Sequence, residues 1–130
     1  MDSLLSWKPS PFIPSERYTV QGQDASAYEL YVAIALEKYK LEFTFQVSIE
    51  GGWGRSGGQV LDFIVKTPPK DTPLEVNEEY WHKDVLYEEY LIAQIKAALG
   101  PDYADTMSIW GEECDTQEKA EQAVRRLFIL

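Results

Sequence analysis

The sequence predicts an α/β protein with its elements in the order α-β-β-β-α-β-α. We expect a mixed sheet that contains an antiparallel three-strand meander and is flanked by helices. Apolar residues alternate with polar ones over 43–49, which is the period-two pattern of a strand, whereas the spans 30–39 and 84–99 have the composition and spacing of helices. Clusters of glycine and proline separate these segments, as turns require.

The first helix and the meander are expected before residue 78. Ser26 and Glu29 have the spacing of a capping box, and residues 30–39 are apolar on almost every side, so we expect a helix buried in the core. A glycine-rich turn and a proline-containing loop then separate three runs with strand character. These runs are expected to pair antiparallel in chain order, at 43–49, 59–65 and 73–76.

The second half of the chain is predicted to add a helix, a strand and a last helix. Residues 84–99 carry apolar side chains at helical spacing and are followed by a Gly-Pro pair, which stops a helix. A short strand is expected at Met107–Trp110. The capping-box pattern that starts at Asp115 is expected to open the last helix, which runs through Arg126.

The length of 130 residues is enough for one hydrophobic core, and we expect a single domain over residues 24–130. Residues 1–23 combine three prolines with aromatic residues, which favours an extended N-terminal arm, docked on this domain or on a partner. No apolar stretch approaches the roughly 20 residues that span a bilayer, so no membrane partner is expected. The lone cysteine, Cys114, is typical of a reducing compartment, and the predicted location is the cytoplasm.

Acidic residues outnumber basic ones, 22 to 12, and the formal net charge of -10 excludes a simple basic protein that coats nucleic acid. Residues 1–70 have 8 acids and 7 bases, whereas residues 71–130 have 14 acids and 5 bases. DNA could therefore approach from the first half. The acids that follow the third strand are most simply a solvated face, formed by Glu78, Glu79, Asp84, Glu88 and Glu89.

One pair of acids suggests a site. Asp62 interrupts an otherwise apolar strand, and an acid that is buried there must be paired or metal-bound. Because successive strand side chains point to opposite faces, we expect Val60, Asp62 and Ile64 on one face. Glu75 and Asn77 share a face of the next strand by the same rule. Opposed side chains on neighbouring strands lie about 5 Å apart, so the two carboxylates are expected to be close enough to share one hard cation.

The segments 58–65 and 74–82, GQVLDFIV and LEVNEEYWH, resemble the small PD-(D/E)XK nucleases of the restriction-endonuclease-like superfamily. The similar branch contains very-short-patch repair enzymes and the homing endonucleases of phages and mobile elements. In these proteins a strand acid is followed by a second strand with an acidic motif and then by an aromatic–histidine pair. The element order over residues 24–128 is similar too, so the resemblance implies a restriction-endonuclease-like core. It does not cover the N-terminal arm.

The resemblance implies a metal-dependent endonuclease that hydrolyses phosphodiester bonds in DNA. Asp62 matches the first metal-binding acid of the family, Glu75 the second, and Glu29 the accessory acid on the first helix. The implied cofactor is Mg²⁺, with Mn²⁺ as a substitute, and water is the nucleophile. DNA is the implied partner, and a homodimer or a second protein would supply sequence recognition.

The chain departs from the family at Asn77, where the usual residue is lysine, or aspartate in the repair-like branch. Asparagine can hydrogen-bond the attacking water but carries no charge. Lys66 and Lys83 are local candidates for the missing positive charge. His82 is expected to act either as a general base or water-positioning group, or as a member of a local aromatic cluster.

Four residues are candidates for contacts with DNA. Trp53 and Arg55 lie in the glycine-rich loop, where one is suited to wedge into a groove and the other to bind phosphate. The simpler interpretation of these two residues is a plain hairpin tip. Lys66 and Lys83 are the other two candidates.

Each candidate acid also has a structural interpretation. Asp62 could be a strand-end acid bonded in a turn, Glu75 an exposed edge-strand acid, and Glu29 a member of the capping box alone. For the whole chain, the alternative function is a catalytically degenerate nuclease-fold module that acts as a protein-binding or structural component. The net charge and Asn77 favour this alternative.

Overall fold

Three α-helices and two β-sheets make up the part of the chain that the computed structural model describes, residues 5–7, 18–49, 59–78 and 85–128. The strands are β1 Leu5–Trp7, β2 Tyr18–Val20, β3 Gln23–Ala25, β4 Phe43–Ile49, β5 Gln59–Val65, β6 Thr72–Asn77 and β7 Met107–Trp110. The helices are α1 Ala27–Lys38, α2 Val85–Leu99 and α3 Gln117–Phe128, with a short 3-10 turn at Gly111–Glu113 before α3.

The larger sheet is mixed and has the strand order β4-β5-β6-β7. β4, β5 and β6 form an antiparallel meander, whereas β7 pairs parallel to β6. Parallel neighbours need a crossover connection, and α2 supplies it. The α/β class and the three-strand meander within a mixed sheet are thus confirmed.

The helices begin and end close to the predicted positions. In α1 the hydroxyl of Ser26 accepts the backbone N–H of Glu29 at 3.1 Å, and the Glu29 carboxylate accepts the Ser26 N–H at 2.9 Å, which confirms the capping box. α2 is followed by Gly100, whose φ of 86° favours glycine. At α3 the predicted cap is wrong by one residue, because Thr116 rather than Asp115 accepts a backbone N–H of the first turn. None of the helices in the described ranges is long and apolar enough to cross a membrane.

Apolar side chains are buried on both faces of the larger sheet. One cluster joins the sheet to α1 and α3 through side chains that include Leu36, Phe43, Phe63, Leu74 and Val124. A smaller cluster joins Leu61 and Ile64 of β5 to Ile95 of α2. The sheet is therefore the middle of three layers, with α1 and α3 on one side and α2 on the other.

The pairing of β4 with β5 is interrupted at one position. The ladder joins the two strands on both sides of Gln46 and Asp62 but not at these residues. Gln46 has a φ of 59°, in the left-handed region that residues other than glycine rarely adopt. The buried side chains of β5 change face at this point, since Phe63 belongs to the larger cluster and Leu61 packs with Ile64 in the smaller one.

This change of face corrects the expectation that Val60, Asp62 and Ile64 share one face of β5. Val60 is 46 % exposed, whereas Ile64 is buried and packs beside Leu61. A regular strand would put Leu61 and Ile64 on opposite faces. The local backbone geometry changes the period of two, and the residue types alone do not reveal it.

Part of the predicted N-terminal arm forms a small antiparallel sheet with the order β1-β2-β3. Gln21 and Gly22 join β2 to β3, and their φ angles of 51° and 81° suit a tight hairpin turn. Val20 is fully buried in the larger apolar cluster. These residues are extended and pack on the domain, and β3 spans the predicted boundary after residue 23.

The side chain of Gln21 covers part of the edge of β4. Its Nε2 donates to the carbonyl oxygen of Phe43 at 2.8 Å, and its Oε1 accepts the N–H of Phe45 at 2.9 Å. These are the bonds that a neighbouring strand would make. The side chain thus protects an edge that would otherwise be open to pairing with another chain.

Candidate functional site

The carboxylates of Asp62 and Glu75 meet where β5 and β6 separate. The ladder between these strands stops after the pair of Phe63 and Leu74. Beyond it, side chains take over the bonding: the N–H of Asp62 donates to Glu75 Oε2 at 3.2 Å, and the N–H of Val76 donates to Asp62 Oδ2 at 2.8 Å. Each acid is half-buried and bonds to the backbone of the opposite strand.

Glu29 reaches the same place from the first turn of α1. Its Oε1 accepts the N–H of Ser26, and its carboxyl group interacts with that of Asp62. The interaction raises the pKa of Asp62 and opposes the rise in the pKa of Glu29. The N-terminus of α1 favours a negative charge on Glu29.

A fourth acid, Glu78, lies just beyond β6 and bonds to the cap of α1. The hydroxyl of Ser26 donates to Glu78 Oε2 at 2.6 Å while it accepts the N–H of Glu29. The turn after β7 packs closely here, since a Cβ on Gly111 would lie 2.9 Å from the carbonyl oxygen of Glu78. Ser26 therefore links the acids of α1 to the acid that follows β6.

Burial and mutual repulsion govern the protonation of this cluster. Desolvation raises the pKa of Asp62 to about 8, with further contributions from the charges of Glu75 and Glu29, while the N–H of Val76 opposes the shift. Desolvation also raises the pKa of Glu29, and the charge of Glu78 adds to this effect. The backbone N–H of Ser26 opposes the shift of Glu29.

No lysine or arginine among the described residues forms an ion pair with Asp62 or Glu29, since the ion pairs of this part of the chain lie elsewhere. Within the same ranges, no group of three or more His, Cys, Asp or Glu side chains has the arrangement of a metal site. The carboxylates are instead held by backbone N–H groups and by the Ser26 hydroxyl.

The other predicted site residues are placed as follows. Asn77 ends β6 in register with Trp110, and it is half-buried like Glu75 while Val76 between them is buried, as expected for two residues on one face. Lys66 is exposed beyond β5, and its backbone N–H donates to a carbonyl oxygen at 2.8 Å. Four candidates lie outside the described residues: Trp53, Arg55, His82 and Lys83.

The structure adds Ser26 and Glu78 to the neighbourhood of the site. Ser26 is predicted only as a helix cap and Glu78 only as a solvated acid, whereas Gln46 is predicted on the polar face of the first strand, either exposed to solvent or hydrogen-bonded near the metal site. The capping-box spacing is a signal for Ser26 and Glu29 together. Nothing in the sequence marks Glu78 as a site residue, because its contact with Ser26 joins elements that are distant along the chain.

The chain was compared with protein-family models, with curated proteins and with solved structures, and none of the three comparisons gave a match. Function therefore has to be inferred from the geometry and chemistry of the site.

Proposed function

We propose that this chain is a metal-dependent endonuclease of the PD-(D/E)XK type that hydrolyses phosphodiester bonds in DNA. The observation that carries the proposal is the convergence of Glu29, Asp62 and Glu75 at the point where two strands of the meander separate. The four-strand order with a parallel last strand, and helices on both faces, supports a restriction-endonuclease-like core. DNA is the proposed partner, with a homodimer or a second protein adding sequence recognition.

The pair of Asp62 and Glu75 would supply two carboxylates to a hard divalent cation, with water completing the coordination. Carboxylate oxygens are the ligands that Mg²⁺ prefers, so Asp62 and Glu75 would hold the ion and Glu29 would serve as the accessory acid. Burial, together with the negative charges of Glu75 and Glu29, raises the pKa of Asp62 to about 8. A bound cation would offset these charges and favour the ionised form of Asp62. When bound, Mg²⁺ or Mn²⁺ polarises the scissile phosphate and lowers the pKa of its bound water.

The chain's own residues would position the reactants. Asn77 shares a face of β6 with Glu75 and can hydrogen-bond the attacking water, a role that requires geometry rather than charge. The Glu29 carboxyl group interacts with that of Asp62, so it would be a nearby acceptor for the proton that Asp62 must lose to become a ligand. Water is the nucleophile, and no covalent intermediate with the protein forms.

The test is nicking of supercoiled plasmid by the purified chain in Mg²⁺ or Mn²⁺. Asp62→Asn keeps the size of the side chain and removes its charge, and we expect the nicking rate to fall by at least about 100-fold. The matched control is Asp105→Asn, because Asp105 is an exposed acid that pairs with Lys96 at 3.4 Å. We expect this control to nick at the wild-type rate. Equal nicking by Asp62→Asn and the wild type would contradict the proposal.

The second candidate function is a catalytically degenerate nuclease-fold module that binds protein. The observation in its favour is Asn77, which stands where the resembled family has a charged residue. The net charge of -10 also disfavours DNA as a partner. A folded chain that neither nicks plasmid nor gains thermal stability from Mg²⁺ would favour this module over the endonuclease.

A further inference from the structure

We propose that Gln46 is a positioning residue for the acid cluster: its left-handed backbone takes Asp62 out of the β4–β5 ladder and turns the Asp62 carboxyl group towards β6 and Glu29. The inference rests on the proposed function, since it names a residue that prepares the same site. Gln46 does not contact the reacting atoms in this proposal. It acts through the backbone of the strand beside it.

The backbone of Gln46 is unusual for its place in the fold. Apart from Gln46, two non-glycine residues within the described ranges have a positive φ, and both lie in connections. Gln21 lies between β2 and β3, and Lys40 follows α1. Gln46, with a φ of 59°, lies in the middle of β4. A conformation of this kind is costly for a residue with a side chain, persists only where its surroundings enforce it, and is concentrated at functional sites.

The left-handed backbone at Gln46 lies directly opposite Asp62 on the neighbouring strand. The ladder pairs on either side of it keep one register, and that register puts Gln46 opposite Asp62. Within β5, Asp62 alone has no ladder partner on β4, and the ladder to β6 also stops beside it. The interruption therefore falls on the acid that the proposed site needs, and not on an arbitrary residue of the strand.

The interruption explains how Asp62 makes its contacts. Its neighbours Leu61 and Phe63 would share one face of a regular strand, yet they pack in different clusters, so the backbone rotates at Asp62. The rotated residue donates its N–H to Glu75 and accepts the N–H of Val76 on its carboxylate. A regular ladder would instead place Asp62 in strict alternation between these apolar neighbours.

The test compares substitutions that differ in their tolerance of positive φ. Gln46→Val introduces a β-branched residue that resists this conformation, and we expect the rate of plasmid nicking to fall about 100-fold because Asp62 is displaced. Hydrogen exchange should also accelerate at the amides of Asp62 and Val76, whose bonds depend on the two acids. Gln46→Gly adopts positive φ freely, so we expect it to nick within about threefold of the wild type and to keep both amides protected.

Lys40→Val is the matched control for strain. Lys40 has a φ of 62° but follows α1, away from the sheet position of Gln46. We expect this variant to lose stability while its nicking rate and the exchange of the Asp62 and Val76 amides stay unchanged. Loss of nicking in Lys40→Val equal to that in Gln46→Val would overturn the proposal, because general destabilisation would then explain both.

The remaining outcomes are also decisive. If Gln46→Gly loses nicking as fully as Gln46→Val, the side chain matters rather than the backbone, and the proposal is overturned. If Gln46→Val does not fold, Gln46→Gly still tests the proposal, because it should nick and protect the Asp62 and Val76 amides like the wild type. If the wild type does not nick plasmid, the proposed function fails separately, and unchanged exchange at Asp62 and Val76 in Gln46→Val would still overturn the positioning role.

Discussion

Two groups of acidic residues on this chain lie in opposite environments. Near α1 and α3, acids lie beside cations: Glu121 pairs with Lys38 at 2.8 Å, and Glu113 pairs with Arg126 at 3.2 Å. Where β5 and β6 separate, by contrast, acids lie beside one another, and no described cation forms an ion pair with Asp62. The first group has ordinary surface pairing, whereas burial and repulsion raise the pKa of Asp62 to about 8.

The difference teaches where this fold tolerates an unfavourable arrangement. Surface ion pairs add little to stability, and losing them costs little. Acids that are buried together destabilise the folded state, unless a proton or a cation compensates. Such local conflict with stability is concentrated at functional sites, so the strand separation is the place to look for function.

The largest effect on stability is expected from the titration of Asp62. Its pKa is 3.8 in an ordinary environment and about 8 in the folded chain, so between these values the folded state binds the extra proton. The free energy of unfolding should therefore fall as pH rises from 4 to 8, by about 2 to 4 kcal/mol once partial screening by water is allowed for. Urea unfolding at several pH values measures this decline.

Asp62→Asn should remove that dependence and make the chain more stable than the wild type at pH 8. The control Asp105→Asn should keep the decline, because Asp105 is exposed. A wild-type stability that rises steadily between pH 5 and pH 8 would contradict the protonation assigned to Asp62.

Divalent cations are expected to offset the repulsion among the acids and so to raise the free energy of unfolding. At pH 8, Mg²⁺ at about 100 times its dissociation constant should stabilise the wild type by about 2.7 kcal/mol, if it binds the folded state alone. Thermal unfolding with and without Mg²⁺ measures this shift, and Glu75→Gln should abolish most of it. A shift of equal size in Glu75→Gln would show that the ion binds elsewhere, for example among the surface acids.

A smaller effect is expected at the cap that links the acids to α1. Ser26→Ala should cost about 1 kcal/mol through the lost N-cap, and Thr116→Ala should cost a similar amount at α3. Only Ser26→Ala should also shift the midpoint of the pH-dependent stability, because Ser26 contacts both Glu29 and Glu78. Identical pH profiles for the two variants would reduce Ser26 to a plain helix cap.

The smallest effect is expected on the exposed surface. Lys96→Met breaks the pair of Lys96 with Asp105, in which both side chains are exposed, and should cost less than about 0.5 kcal/mol. The change should shrink further at 0.5 M salt, since solvent-exposed charges are screened. A cost as large as that of Ser26→Ala would mean that exposed ion pairs contribute as much to the free energy of unfolding as the cap of α1 does.

Much of the architecture was predictable because it depends on local patterns. The strand at 43–49 follows from apolar alternation, the strand at 59–65 from a largely apolar run after the glycine-rich turn, and α1 from its capping box. The cap of α3 differs by one residue because Asp115 and Thr116 are both good capping residues. The hairpin of β2 and β3 was not predicted, since its turn uses Gln21 in a left-handed conformation that this residue type rarely adopts.

The candidate site was likewise predictable only in part. Its acids could be named from their positions, because Asp62 interrupts an apolar strand and Glu75 follows on the next one. Their hydrogen bonds to the backbone of the neighbouring strand could not be predicted, because these bonds depend on where the ladder between β5 and β6 ends. The change of face at Gln46 likewise contradicts the regular alternation that sequence patterns assume.

The sequence by itself determined the order of helices and strands, the acids available for a site and the uneven distribution of charge, since each of these depends on residue type and spacing along the chain. Only the tertiary structure decided that Glu29, Asp62 and Glu75 meet, that Ser26 links Glu78 to the same cluster, and that burial there raises the pKa of Asp62. The physical reason is that burial and Coulomb interactions depend on distances in space between segments far apart in the chain. Where such interactions set the pKa of a group, the sequence names the group, and the fold determines its charge.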